Sequence, residues 1–335
     1  MACIHNVLRE LRQSAVSILL AAGLLAHASP GVAAERELSV DQFSVVKLTV
    51  KTVPDARSAR SLGPQREGTG VVIDSSGLVL TIGYLVTEAD TVELATADGR
   101  KFAANVIGYD NSTGLGLVKS LQPLPIKPVD LGESSVTNLR DLVLIVGFDG
   151  VAPAYIVSKR PFVGYWEYLL DEAIYTAPAT VNWQGAALLS KEGKLLGIGS
   201  LAVGDAIGQS NVPGNMFVPI DTLKPVLGDF IANGRATTKP RPWLGITSQE
   251  IQGKVIITRV TDEGPAADAG LQAGDIIVGL GGQSLRGQAD FYLRLWKSGD
   301  AGVEVALDVL KGNKVELVKV KSIDRERHFR SKPVY

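Results

Sequence analysis

Imidazole and thiol groups carry out much of hydrolytic and metal chemistry, and this chain of 335 residues has three histidines and one cysteine. Cys3, His5 and His27 precede Ala28, while His328 stands seven positions before the C-terminal Tyr335. No His or Cys occurs from Ala28 to Arg327. A Ser/His/Asp site, a Cys/His site and a zinc site held by His or Cys each need such a side chain inside the fold. The expectation is therefore no metal and no cofactor.

Other groupings are weaker. Lys119 with Ser120 or Ser112 could form a Ser/Lys dyad, but solvated surface residues are the plainer reading. Asp171 and Glu172 are adjacent, so on a strand they point to opposite faces and read as surface charge. Phe162, Tyr165, Trp166 and Tyr168, with Tyr175 and Trp183, form an aromatic cluster in a chain of only 6% aromatics. The cluster either lines a binding surface or packs under a long loop.

The elements that must position these groups are mostly strands. Ser44 to Val53 is rich in β-branched residues. Gly70–Asp74 and Leu78–Thr81 flank the turn Ser75-Ser-Gly77 as a hairpin, and Thr91–Ala97 and Lys101–Tyr109 flank Asp98-Gly99 as another. Apolar runs at 142–147, 186–189 and 195–201 extend the pattern of short strands, with 36 glycines and 16 prolines to turn between them. A helix is predicted from about Thr222 to Ala232, capped by Asp221 and stopped at Asn233-Gly234, with Pro225 delaying its start. Residues 235–242 have a linker's composition. A compact unit follows, with strands at 254–260, 275–280, 303–310 and 314–320 and a helix near Ala289–Trp296. The fold class is mainly β.

At the N-terminus, Arg9 and Arg12 precede an apolar stretch of 12 residues, Ala15 to Ala26, and then small residues at Ala26-His27-Ala28 and Gly31 to Ala34. This reads as a signal peptide over 1–34 and export to the periplasm; an uncleaved anchor is the alternative, although a membrane span needs about 20 apolar residues. With 34 basic against 35 acidic side chains, bulk charge offers nothing to a polyanion, so no nucleic-acid partner is expected.

Two segments carry resemblances. Pro242-Trp-Leu-Gly-Ile246 followed by Gly264-Pro-Ala-Ala-Asp-Ala-Gly-Leu-Gln-Ala-Gly-Asp-Ile-Ile277 resembles a bacterial PDZ domain. The resemblance implies that Trp243, Leu244, Gly245 and Ile246 form a loop whose backbone N–H groups capture a C-terminal carboxylate while the peptide adds as a strand. Gly68-Thr-Gly-Val-Val-Ile-Asp-Ser-Ser-Gly-Leu-Val-Leu-Thr81, Asp98-Gly-Arg-Lys-Phe102, Leu131-Gly-Glu-Ser134 and Phe217-Val-Pro-Ile220 resemble, in order, motifs of the HtrA (Deg) family of periplasmic trypsin-like serine proteases. The implied architecture is a trypsin-like double β-barrel at 35–234, a linker at 235–242, a PDZ domain at 243–323 and a tail at 324–335.

The family's catalytic side chains do not match. Tyr84 stands at the position of the histidine in L-T-N-x-H-V-V, Gly114 at that of the orienting aspartate and Gln184 at that of the nucleophile in G-N-S-G-G-P-L-L. No serine occurs from Lys159 to Leu189. A tyrosine with an ordinary pKa of about 10 is a poor base at neutral pH. The N–H groups of Asn182 and Gln184 could remain as an oxyanion hole, and Thr176 or Thr180 lies near the cleft by resemblance. The expectation is a non-catalytic protein, a pseudoprotease, that binds peptides or protein C-termini as scaffold, chaperone-like binder or regulator of an active relative. The alternative is an active endopeptidase with a non-standard site. The resemblance also implies homo-oligomers, namely trimers.

Overall fold

The computed structural model describes residues 38–235 and 239–329. The predicted signal peptide, part of the predicted linker and the end of the tail lie outside them. Among the described residues no helix is long and apolar enough to cross a membrane.

Among the described residues, eighteen strands are organised as two closed barrels and one open sheet. The first barrel contains β1 (Val45–Thr52), β2 (Gln65–Val72), β3 (Leu78–Ile82), β4 (Ala89–Ala95), β5 (Lys101–Tyr109) and β6 (Leu115–Ser120), closing in the order β1-β2-β3-β6-β5-β4. Period-2 alternation sends Val46, Leu48 and Val50 of β1 inward, each at most 1% exposed. The second barrel contains β7 (Leu142–Gly147), β8 (Gly150–Gly164), β9 (Tyr168–Ala177), β10 (Ala187–Leu189), β11 (Leu195–Val203) and β12 (Gly214–Pro219). One apolar core runs through both barrels, from Leu48, Leu80 and Leu117 to Ile198, Met216 and Val218. Closure leaves neither barrel a free edge.

The third unit is the sheet β13 (Ile246–Ile251), β14 (Lys254–Val260), β15 (Ile276–Leu280), β17 (Glu304–Lys311) and β18 (Lys314–Lys321), with the short β16 (Gln283–Ser284) paired to β15. The helix Gln288–Lys297 covers it, burying Phe291, Tyr292 and Leu295. The i, i+4 pairs Phe291/Leu295 and Tyr292/Trp296 share one packed stripe, and Tyr292 stacks on Trp296 at 5.7 Å. This core contains residues from outside the unit: Val163 of β8 and Leu169 of β9 pack against it.

Two local expectations are corrected. The helix predicted from Thr222 begins later: Ile220–Thr222 is a 3-10 turn, and the α-helix spans Leu227–Asn233, beyond Pro225, whose ring and missing N–H oppose continuation. Asp221 does not cap it; its carboxylate accepts from the Ser135 N–H at 2.8 Å and pairs with Lys224 at 2.6 Å. Gly234, left-handed at φ 73°, ends the helix as expected. The stretch that carries the aromatic cluster, for which the sequence predicts no strand, is regular. It is a hairpin of 15- and 10-residue strands, β8 and β9. Pro153 and Pro161 argue against a strand by sequence; here the register breaks between Arg160 and Phe162 and absorbs Pro161.

Candidate functional site

The two barrels and the third unit border an open cavity of about 920 Å³. Tyr84, Gly114 and Gln184, far apart in sequence, all line it. Its walls include Trp166, Tyr168 and Trp183 of the aromatic cluster, so part of that cluster does line a cleft. Phe162, Trp166 and Tyr168 also pack on one another, with Trp166 stacked on Tyr168 at 5.7 Å. Tyr175 instead lies under the Arg160 guanidinium, 3.6 Å from ring centroid to cation.

Tyr84 sits in the short helix Gly83–Val86 that follows β3. Its hydroxyl donates to the Ser200 carbonyl of β11 at 3.1 Å, tying one barrel to the other. Burial pushes its pKa well above the ordinary tyrosine value, so the phenol is neutral. The buried Arg66 holds this helix, donating from Nη1 to the carbonyls of Tyr84 and Thr87, both at 2.7 Å. Its Nη2 donates to Ser58 Oγ at 2.7 Å. The helix is too short to hold itself, and the guanidinium satisfies carbonyls that its end leaves open.

Gly114 is left-handed, φ +79°, and a Cβ there would lie 2.9 Å from Tyr168 Oη. That phenol donates to the Thr113 carbonyl and fills the space any side chain at 114 would need. Gln184 is exposed at the cavity, and its carbonyl accepts from the Thr69 N–H at 2.8 Å. The Asn182 N–H faces Thr180 Oγ1 at 3.4 Å, so one of the two expected oxyanion donors already has an acceptor nearby. The proposed Ser/Lys dyad is not assembled: Lys119 donates to Ser76, and the Ser120 hydroxyl donates to the Gln122 carbonyl at 2.7 Å. Glu172 pairs with Lys159 at 3.1 Å as surface charge.

The predicted carboxylate loop is also placed. Trp243 bridges to Ile323, Leu244 and Ile246 are core residues, and Gly245 between them has φ +79° with Thr261 Cβ 3.2 Å from where a Cβ would stand. Only glycine takes that backbone readily. The N–H groups of Leu244 and Ile246 both point at one carboxylate, that of Glu167, at 3.0 and 2.8 Å. Sequence reading missed Glu167 and offers no signal for it, since 77 positions separate it from Leu244. Burial pushes its pKa up to about 7 against the pull of the loop N–H groups and Arg325.

His328, far in sequence from the cleft, is brought to it by the fold. It is 3% exposed, lines the same cavity, and lies 5.0 Å from the Trp243 ring. The guanidinium of Arg57 donates to its carbonyl and approaches Nδ1 at 3.4 Å. Burial, followed by the Arg57 charge, holds its pKa below the ordinary histidine value. The short helix Arg325–His328, capped by Asp324, folds the tail back.

Two stretches of the chain match known domain families. Residues 68–198 match a trypsin-like peptidase domain and residues 242–322 a PDZ domain. The molecule is thus a trypsin-like peptidase fold joined to a PDZ domain. A probable periplasmic serine endoprotease DegP-like of Bartonella henselae is 30% identical over 278 residues, covering 78% of this chain and 54% of the relative. A counterpart from Pseudomonas fluorescens is 27% identical, covering 80% and 59%. The chain therefore spans little more than half the length of these DegP-like relatives. The serine endoprotease DegS of Haemophilus influenzae is 26% identical, covering 83% of this chain and 87% of that one. The HtrA-type protease AlgW with a decapeptide shares the fold, with a TM-score of 0.50 at 21% identity over 87% of this chain and 96% of that one. The chain belongs to the HtrA family. These relatives correct the expectation that the chain is no enzyme: they are named serine endoproteases, and that outweighs an argument from three side-chain types.

Two outcomes follow from the local geometry. Gly114→Asp, placing the family's carboxylate here, should destabilise the protein by about 2–4 kcal/mol through left-handed strain and collision with Tyr168; denaturant melts of this variant, of Tyr168→Ala and of the pair check it, the double variant losing less than the sum of the two single losses. Glu167 holds its proton more tightly folded than unfolded, so its contribution is fully present below about pH 4.5 and lost as pH rises through 7. The loss is on the order of 3 kcal/mol. His328, with a lowered pKa, acts in the opposite sense in wild type and variant alike. Denaturant midpoints near pH 5 and pH 8 should fall more steeply for wild type than for Glu167→Gln.

Proposed function

We propose that this HtrA-family chain captures polypeptide C-termini at the loop Trp243–Ile246 and works in the periplasm, as the names of its DegP-like relatives and its N-terminal pattern suggest. The observation that carries this reading is the convergence of the Leu244 and Ile246 N–H groups on one carboxylate. Backbone amides so arranged recognise a carboxylate without regard to the side chain that bears it, while β13, the edge strand of its sheet, adds affinity by strand addition. We assign the trypsin-like unit to 35–234 and the PDZ domain to 243–323, joined by 235–242 and followed by the tail 324–335. Candidate partners are peptides and protein C-termini, an active protease relative, and further copies of this chain in a trimer.

A second reading, an endopeptidase with a non-standard catalytic site, is favoured by the relatives' names. It places the scissile bond in the cavity where Tyr84 and Gln184 meet. With unfolded casein as substrate, cleavage that co-purifies with the chain and drops at least tenfold on Gln184→Ala assigns hydrolysis to this cavity; cleavage indifferent to that change puts it elsewhere. For the capture reading, calorimetric titration with peptides ending in a free apolar C-terminus should give saturable binding, and amidating the terminus should abolish it. Gly245→Ala should weaken binding at least tenfold, because a Cβ meets Thr261 and the Trp243 ring and the loop must shift. Equal affinity for the amidated peptide would remove the carboxylate from the recognition.

A further inference from the structure

The carboxylate loop is already filled by the chain itself. Gly164 of β8 pairs with Tyr168 of β9, leaving Tyr165, Trp166 and Glu167 as the hairpin turn. This turn enters between β13 and the helix Gln288–Lys297. Its Tyr165 carbonyl accepts from the Ser248 N–H of β13 at 2.9 Å, a backbone contact of the kind an added strand makes. Its Gly164 carbonyl accepts from the Tyr292 hydroxyl at 2.9 Å and from Gln288 Nε2 at 3.3 Å. The Glu167 N–H donates back to the same Tyr292 oxygen at 3.2 Å, so one phenol clasps both ends of the turn. At the tip, the Glu167 carboxylate occupies the Leu244 and Ile246 amides. Glu167 is left-handed at φ 54°, an unfavourable conformation for a residue with a side chain, held here by the contacts it makes. Beside the turn, Val163 and Leu169 supply apolar contact to the PDZ core.

Carboxylate, strand-type backbone contact and flanking apolar side chains are the elements of a C-terminal peptide, supplied by an internal turn with a glutamate side chain in place of the chain terminus. We infer that Gly164–Glu167 is a built-in ligand of the PDZ groove, and that a partner's C-terminus binds only by displacing it. This rests on the capture reading above. The groove cannot hold both carboxyl groups, because the Leu244 and Ile246 N–H groups are already used by Glu167. The closed state therefore lowers apparent affinity by the ratio of closed to open molecules. The fitting partner is one whose terminus offers a carboxylate and apolar contact in excess of what the turn supplies.

The test uses the full chain as wild type, Glu167→Ala and Glu167→Gln. Affinity for a peptide with a free apolar C-terminus is measured by calorimetry, and exchange of the Leu244 and Ile246 amides is measured without peptide. The inference expects both variants to bind at least tenfold more tightly than wild type, the alanine variant most, and the two amides to exchange at least tenfold faster in them. Glu167→Gln keeps the side-chain volume and serves if the alanine variant fails to fold. Affinities within twofold across the three proteins would overturn the built-in ligand and leave carboxylate capture standing. Amides that exchange alike in all three would overturn it too. No binding by any of them, with the loop emptied, would overturn capture and this inference together.

Discussion

A carboxylate removed from water must be given donors, and a loop of converging backbone N–H groups must be given an acceptor; in this molecule each need meets the other. Glu167 leaves the second barrel to satisfy amides of the PDZ unit, and its neighbours Val163 and Leu169 enter that unit's core. Hydrogen bonds to a charged group are worth about 1.5–3 kcal/mol each, and leaving such a group buried without them costs more. The pairing fixes the rest. It holds the PDZ sheet over the cleft between the barrels, so that Trp243, Thr247 and Arg259 form walls of a cavity whose floor is Tyr84, Gly114 and Gln184.

The floor follows the same logic of obligatory partners. Arg66, taken out of water, finds carbonyls at the end of a one-turn helix that could not stand alone, and so sets where Tyr84 lies. Tyr84 in turn uses its hydroxyl to link the barrels rather than to face an incoming group. Tyr168 takes the volume beside Gly114. The cleft is thus a chain of satisfied polar atoms, each positioned by the next, and its shape is set by which of them lost access to water.

Much of this was legible in the residues. β-branched alternation gave the strands, Asp98-Gly99 the hairpin, and Pro242 to Ile246 with its glycine-rich sequel the PDZ loop, because these are local rules in which a few neighbouring residues dictate the backbone. Bulges hide strands from period-2 reading, and the β8–β9 hairpin, with Pro161 at a register break, is not among the strands the sequence predicts. Glu167 and His328 were invisible for another reason. Each acts through tertiary contact across 77 or more positions, and nothing in the local sequence marks a glutamate in a turn or a histidine near a terminus as buried. Conversely, three side-chain types at recognisable positions spoke loudly and led to a conclusion about activity that the relatives do not share.

The scarcity of histidine has a practical use once its place is known. His328 is the one imidazole among the described residues, and it sits against the Trp243 ring at the root of the carboxylate loop, with the guanidinium of Arg57 3.4 Å from its Nδ1. The aromatic ring current of Trp243 acts on it, and its surroundings change whenever the PDZ unit and the barrels part. Its ring-proton resonance is therefore an intrinsic spectroscopic probe, placed at the joint between the units and needing no introduced label.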